Sequence, residues 1–368
     1  PAGPRLYALV TRFGAPCADR CPDPALFLLA SADGGETWGS AHRLCPCPGA
    51  AQQWDPQIEV AGDGTVYAAW LQKEGPWRVL FARSSDHGVT WSEPIVVSGP
   101  GWADKPAMAV SDDGRDVYVA WSRAALFVAA SHDGGSTWGR RLQIGVSERF
   151  HAPWGMAVAP DGTVYVGVTS EAPSFRGPVR AMVFRSADGG GSWSGTVIDA
   201  VFTGTDPFTT HPKVTVAVDA DGRASVVYSG STQAGGPGRV WSSSSVDGGS
   251  TWTPPVELPT GALVFGAGFP AAVGAGAGDL RAWFMDDRTG RWNTWYVRST
   301  DGGATWSAPV RLSASGEGAP YRDALGFLSP YGDYGEIDVD ASGRTVAVWG
   351  EGAGPPPGPG GSWFDRGT

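Results

Sequence analysis

Positive charge is scarce in this sequence: 27 Lys and Arg stand against 37 Asp and Glu, a formal net charge of −10. A nucleic-acid backbone calls for a basic patch, so nucleic acid is not expected as a partner, whereas a neutral sugar is left open. Long apolar runs are missing too. No stretch approaches the ~18 residues of a membrane helix, and the first residues carry neither the basic nor the apolar segment of a secretory leader. A leader, if there is one, is expected to have been removed. Amphipathic helical periodicity is hard to find. Cysteine is limited to Cys17, Cys21, Cys45 and Cys47, whose C-x3-C and C-x-C spacings are not those of common zinc sites. No metal site and no cofactor are assigned from the sequence.

What is abundant is turn residue and tryptophan, with 55 Gly, 30 Pro and 18 Trp in 368 residues. They are organised by one eight-residue pattern, Ser-x-Asp-x-Gly-x-Thr/Ser-Trp. It runs from Ser31 to Trp38, Ser84 to Trp91, Ser131 to Trp138, Ser186 to Trp193, Ser245 to Trp252 and Ser299 to Trp306. Successive copies start 53, 47, 55, 59 and 54 residues apart, a period that marks a propeller or solenoid. The pattern suits a tight turn. Its Asp can accept backbone N–H groups, its Gly can take a positive φ, and its hydroxyl can tie back to the turn.

Around each turn the sequence resolves into four strands. In the second unit these are Pro56 to Ala61, Thr65 to Leu71, Arg78 to Arg83 and, after the turn, Pro94 to Ser98. The order recurs from Pro106, Pro153, Lys213 and Phe269. The first unit begins at strand two, Leu6 to Arg12, and a last unit has Gly335 to Asp340 and Arg344 to Trp349 without the pattern. The expectation is an all-β propeller of four-stranded antiparallel blades, with seven blades and six as the alternative. Residues 1–351 form one domain on this reading. The Gly/Pro-rich segment 352–368 follows, with a last strand at Trp363.

The eight-residue pattern is the Asp-box, and the chain resembles the sialidase-like, BNR-repeat propellers over nearly its whole length. In such a ring the boxes occupy one face and the starts of strand one the other, around the mouth of a central channel. The cysteines fall in two neighbouring loops of the first blade, so two disulfides between those loops are expected, with a zinc knot or free thiols as alternatives. Disulfides imply a secreted, periplasmic or cell-surface protein. The channel-mouth positions read Trp54-Asp55, Asp104-Lys105, His151 with Trp154, His211 with Lys213, and Asp333-Tyr334. Strand-end capping accounts for such a ring as readily as a sugar site does. His87 and His132 lie inside boxes and read as turn residues.

The resemblance also implies roles. Tyr334 stands where the family has its nucleophile, opening the stretch Tyr334-Gly-Glu336 that ends in Trp349-Gly-Glu351. A phenol assisted by a carboxylate can attack an anomeric carbon beside a substrate carboxylate without like-charge repulsion. Arg288, in Met285-Asp-Asp-Arg288, resembles an arginine that grips that carboxylate. No Arg-Ile-Pro motif is present. The leading reading is a secreted, sialidase-like exo-glycoside hydrolase. Its catalytic candidates are Tyr334, Asp55 and Glu336, and its substrate-binding candidates are Arg288, His151, His211, Lys213, Trp54 and Trp154. One alternative is a non-catalytic propeller that binds a glycan or another extracellular protein through Trp54, Trp102 and Trp154. Another is a polysaccharide lyase in which His151 or His211 acts with Tyr334, and Arg288 or Lys213 neutralises a uronate.

Overall fold

A computed structural model describes residues 5–14, 21–45, 47, 49–146, 149–174, 177–204, 211–261, 263, 266–290, 292–313, 335–351 and 361–367. They form seven antiparallel sheets, the blades of a β-propeller. Blade 2 shows the repeat: Gln52–Val60, Val66–Lys73, Trp77–Ser84 and Ile95–Val96 are hydrogen-bonded in chain order. Blades 3 to 6 repeat the order, with strand one at Asp104–Val110, Phe150–Val158, Val214–Val218 and Ala267–Gly274. The terminal blades are described in three strands each. Among the described residues blade 1 has strands two to four, Leu6–Arg12, Ala25–Ser31 and His42–Arg43. Blade 7 has strands one to three, Glu336–Val339, Thr345–Glu351 and Gly361–Arg366.

Blade count follows from how the ring closes. Two residues of strand three, one packing and one bonding, recur between neighbours. Phe81 of blade 2 meets the box Trp138 of blade 3 edge-on at 5.1 Å, and Arg83 donates to Gly134 O at 2.7 Å. Phe364 of blade 7 meets the box Trp38 of blade 1 edge-on at 5.0 Å, and Arg366 donates to Gly34 O at 3.0 Å. The last blade therefore grips the first as an interior blade grips its successor. Seven blades close the ring, and the six-bladed alternative does not apply.

The core lies between blades. Tyr67, Phe81, Val119 and Trp121 pack blade 2 on blade 3, and Trp283, Met285, Ile337 and Trp349 pack blade 6 on blade 7. Strand two is buried along its whole length in blades 4, 5 and 6. In blade 1 only Leu9 of Leu6–Arg12 is fully buried, because no described strand covers its channel-side edge.

Each box is stitched alike. In the first, the Ser31 hydroxyl donates to Asp33 Oδ1 at 2.7 Å and accepts from Gly35 N at 2.8 Å, while the Thr37 hydroxyl donates to Asp33 Oδ2 at 2.6 Å. These donors, led by the Thr or Ser hydroxyl, hold Asp33, Asp86, Asp133, Asp188 and Asp301 down at about 2. The box carboxylates are consumed by their own turns.

The cysteines correct an expectation. Cys45 and Cys47 are bonded to each other, so this bridge closes within one loop instead of joining two. Cys21 is also disulfide-bonded, and Cys17 lies outside the described residues.

Candidate functional site

Strand one enters the channel wall through a distortion. Asp55, Lys105, Lys213 and Phe269 each stand six residues ahead of the residue whose N–H closes the turn after strand one, so they share one level of the channel. Tyr334 has the same offset in sequence but lies outside the described residues. At this level the pairing slips between Trp54 and Gln57, Asp104 and Ala107, Pro153 and Gly155, and Gly268 and Ala271. Asp55, Lys105 and Phe269 sit at φ of 52°, 51° and 52°. Positive φ costs a non-glycine residue roughly 1–2 kcal/mol, and a bulge re-aims the side chain it carries.

The result is an arc of alternating cations and rings. The Lys105 and Lys213 ammonium groups lie 5.1 and 4.7 Å from the centre of the Trp154 ring, and Lys213 reaches to 3.8 Å of Phe269. Trp154 is held by its N–H, which donates to the Thr169 hydroxyl at 2.9 Å. Lys213 is only 5% exposed. A cation over a ring contributes about 0.5–2 kcal/mol, the larger value where water is excluded. Asp104, beside Lys105, accepts the Lys105 N–H at 2.9 Å.

Below the arc the channel is acidic. Glu59 of blade 2 faces Glu336 and Asp338 of blade 7, and burial followed by the Glu336 and Asp338 charges pushes Glu59 well up. Glu336 is raised to about 7, first by desolvation and then by Asp338, against a lowering bond from the Ile337 N–H. Asp338 is raised by desolvation. Glu59 is half-buried and Glu336 and Asp338 are exposed, so solvent screens these charges in part.

The signs set a pH dependence. A carboxyl raised in the folded state favours folding below its unfolded value of ~4.3, and that contribution is lost as pH rises through about 7 for Glu336. The box aspartates act oppositely: their contribution is present above ~3.9 and lost as pH falls through about 2. The melting temperature is therefore expected to peak in mildly acidic buffer and decline toward pH 8, with Glu336→Gln flattening the decline. A melting temperature that climbs steadily from pH 5 to 8 in the parent would contradict these assignments.

Several sequence candidates are placed elsewhere than at a ligand. Arg288 donates from Nε and Nη2 to the buried Asp286 and from Nη2 to Pro259 O at 3.2 Å, and stacks 4.2 Å over Trp295. It binds blade 6 to blade 5 and grips no channel carboxylate. His151 is 1% exposed, its Nδ1 at 2.9 Å from Arg149 O and its ring against Phe184. Burial lowers its pKa, and it packs within the wall. His211 does reach the mouth, but its Nε2 lies 3.0 Å from Glu171 and its Nδ1 3.0 Å from Pro212 O. Both nitrogens lie against protein acceptors. Trp54 is half-buried, edge-on to Phe13 at 5.3 Å. Asp55 and Lys213 share the level set by the six-residue offset, and Trp154 lies against the Lys213 ammonium.

Sequence reasoning passed over Phe269 as a ring residue, and Lys105 as a partner of Trp154. The constant six-residue offset was the available signal. Glu59 was missed too, four residues after Asp55 and beyond the slip in pairing. Among the described residues no group of three or more His, Cys, Asp or Glu could hold a metal ion, and no helix is long and apolar enough to cross a membrane. An open polar depression of about 590 Å³ lies on the box face between blades 2 and 3, lined by Asp63, Tyr67, Arg83, Arg115 and the box Asp133. The strand registers keep it at the opposite end of the blades from the arc.

Fold and boxes define a seven-bladed Asp-box propeller. The BNR repeat-like domain model matches residues 8–166 and the BNR/Asp-box repeat model residues 297–308. The chain therefore carries BNR repeats on a β-propeller fold similar to that of the sialidases. A xyloglucanase from Paenibacillus sp is 27% identical over 285 residues, covering 69% of this chain. The chain spans only 25% of that relative. Among solved structures, a leech intramolecular trans-sialidase superposes with a TM-score of 0.60 at 12% identity, over 92% of this chain and 71% of that one. A polysaccharide lyase, an ulvan lyase, gives 0.58 at 11% identity over 95% and 90%.

Proposed function

We propose that this is an extracytoplasmic, glycan-active propeller that receives an acidic sugar at the channel mouth, with exo-glycoside hydrolysis as its reaction. The observation that carries the reading is Trp154 between Lys105 and Lys213. An indole face gives a sugar ring a stacking surface, and flanking ammonium groups suit a carboxylate or sulfate on that ring. Tyr334 supplies the nucleophile on this reading, as the family resemblance implies, with Asp55 at the arc's level as proton donor. Glu336, raised to about 7, can hold or release a proton near neutrality. The sialidase, lyase and xyloglucanase likenesses support a glycan as ligand, and the Cys45–Cys47 disulfide supports an oxidising compartment.

One observation favours the binding-only alternative: Arg288 is committed to Asp286, so the expected arginine grip is not formed by that residue. The lyase reading loses its bases, since His151 is buried and both nitrogens of His211 are engaged. Incubation with sialosides, neutral β-glucans and uronic-acid polysaccharides separates the cases. New reducing ends are expected from an acidic glycoside, without unsaturated product near ~235 nm, and Trp154→Ala or Lys213→Met should lower kcat/KM about tenfold or more. Turnover confined to neutral substrates and indifferent to Lys213→Met would overturn the acidic-sugar reading.

A further inference from the structure

We infer a second oxyanion subsite on the rim of blade 4, formed by Arg149 and Arg180, so that the ligand is a saccharide carrying at least two acidic groups. This rests on the channel mouth as the sugar site and extends it outward. Arg149 stands just ahead of strand one of its blade. Its Nε donates to the Ser170 hydroxyl at 2.7 Å and its Nη2 to Ser170 O at 2.6 Å, which fixes the guanidinium plane. Arg180 opens strand three, and its Cα partner is the same Ser170. Both arginines are thus brought to the end of strand two, at the mouth end of the blade.

Their charges are not compensated. The Arg149 pKa is lowered by burial and then by Arg180, against which Glu171 pulls the other way. Glu171 is already committed to His211 at 3.0 Å. Arg180 is exposed and makes no hydrogen bond or ion pair with a described residue. Two guanidinium groups that repel each other, one of them held in place and the other without a partner, form a receptor for an oxyanion, which relieves the repulsion through charge-assisted bonds. Trp154 lies five residues further along the chain from Arg149, roughly 15 Å at strand rise. A single sugar ring does not span that interval. An oligosaccharide with repeated carboxylate or sulfate groups does, stacking one unit on Trp154 and presenting a later acidic group to Arg149 and Arg180.

The test uses galacturonate oligomers of one to six residues as probes, with affinity measured calorimetrically at low and high salt. In the parent, the hexamer should bind more tightly than the monomer, with the gain screened by salt. Arg180→Gln should reduce hexamer affinity about five- to tenfold and Arg180→Glu further, both leaving monomer affinity unchanged. Arg180 is exposed and unpartnered, so neither change threatens folding. Trp154→Ala should weaken monomer and hexamer alike. If the Arg180 variants keep the full hexamer advantage, or if no oligomer binds the parent, the subsite is wrong. If Arg180→Glu removes the hexamer advantage while Trp154→Ala changes nothing, the subsite stands and the channel-mouth reading falls.

Discussion

Tyr334→Phe is expected to remove nearly all turnover while leaving the fold and ligand affinity in place. The change deletes one oxygen, and if that oxygen made one hydrogen bond the stability cost is about 1 kcal/mol. The chemical step, by contrast, loses its nucleophile on the proposed reading, a loss that commonly reaches several orders of magnitude. The residues that follow Tyr334 are firmly held: Glu336 O accepts the Trp283 N–H at 3.1 Å, and a Cβ on Gly335 would meet the Trp283 ring at 2.3 Å. The comparison to make is single-turnover rate against binding affinity in one preparation. Parent-rate turnover in the Phe variant would reject the hydrolase assignment of this residue and favour a binding propeller.

Trp283→Ala should be among the most destabilising single changes, at about 3–5 kcal/mol. The indole is 2% exposed and packs with Phe269, Ile337 and Trp349 across the interface of blades 6 and 7. Its removal leaves a cavity and also strips the Glu336 carbonyl of its donor. Against a typical total of ~5–15 kcal/mol, this is a large fraction. Denaturant titration gives the magnitude, and hydrogen exchange should show protection lost first in Glu336–Val339 and in Phe269 on the facing strand. A cost under about 1 kcal/mol, with exchange unchanged at those residues, would mean that this interface is not packed as described.

The architecture was legible because its signals are local. Each box satisfies its own Asp from residues two before and four after it, Ser31 and Thr37 for Asp33 in the first, so the turn is written in contiguous sequence. Repetition then did the counting, and strand two in particular is a predominantly apolar run, as in Val66–Lys73, Val117–Arg123 and Val164–Glu171. The closing contact was less visible. Phe364 and Arg366 follow a Gly/Pro-rich stretch without a box, and only their packing on Trp38 and Gly34 shows that they repeat Phe81 and Arg83.

The site was harder to read, because side-chain direction there departs from simple alternation. Bulges with positive φ at Asp55, Lys105 and Phe269 turn residues toward the channel that regular pleating would send elsewhere. His151 shows the converse: it stands at the start of a strand like a ring residue, but pleating sends it against Phe184. Arg288 was placed by a motif whose own Asp, two residues earlier, captures it. The cysteine spacing suggested bridges between two loops, yet Cys45 and Cys47 bond to each other, with a Cα separation of 5.2 Å. In each case the deciding partner is a nearby side chain, and composition and spacing carry no record of which partner wins.

The most direct test of the account is a crystal structure with an acidic oligosaccharide bound. Its central claim places a sugar ring against the Trp154 face, with a carboxylate or sulfate toward Lys105 and Lys213, at the end of the channel away from every box. Density for the saccharide in that position is the predicted result. Density instead in the box-face depression beside Asp63, Arg83 and Arg115, with the Trp154 face empty at saturating ligand, would contradict it.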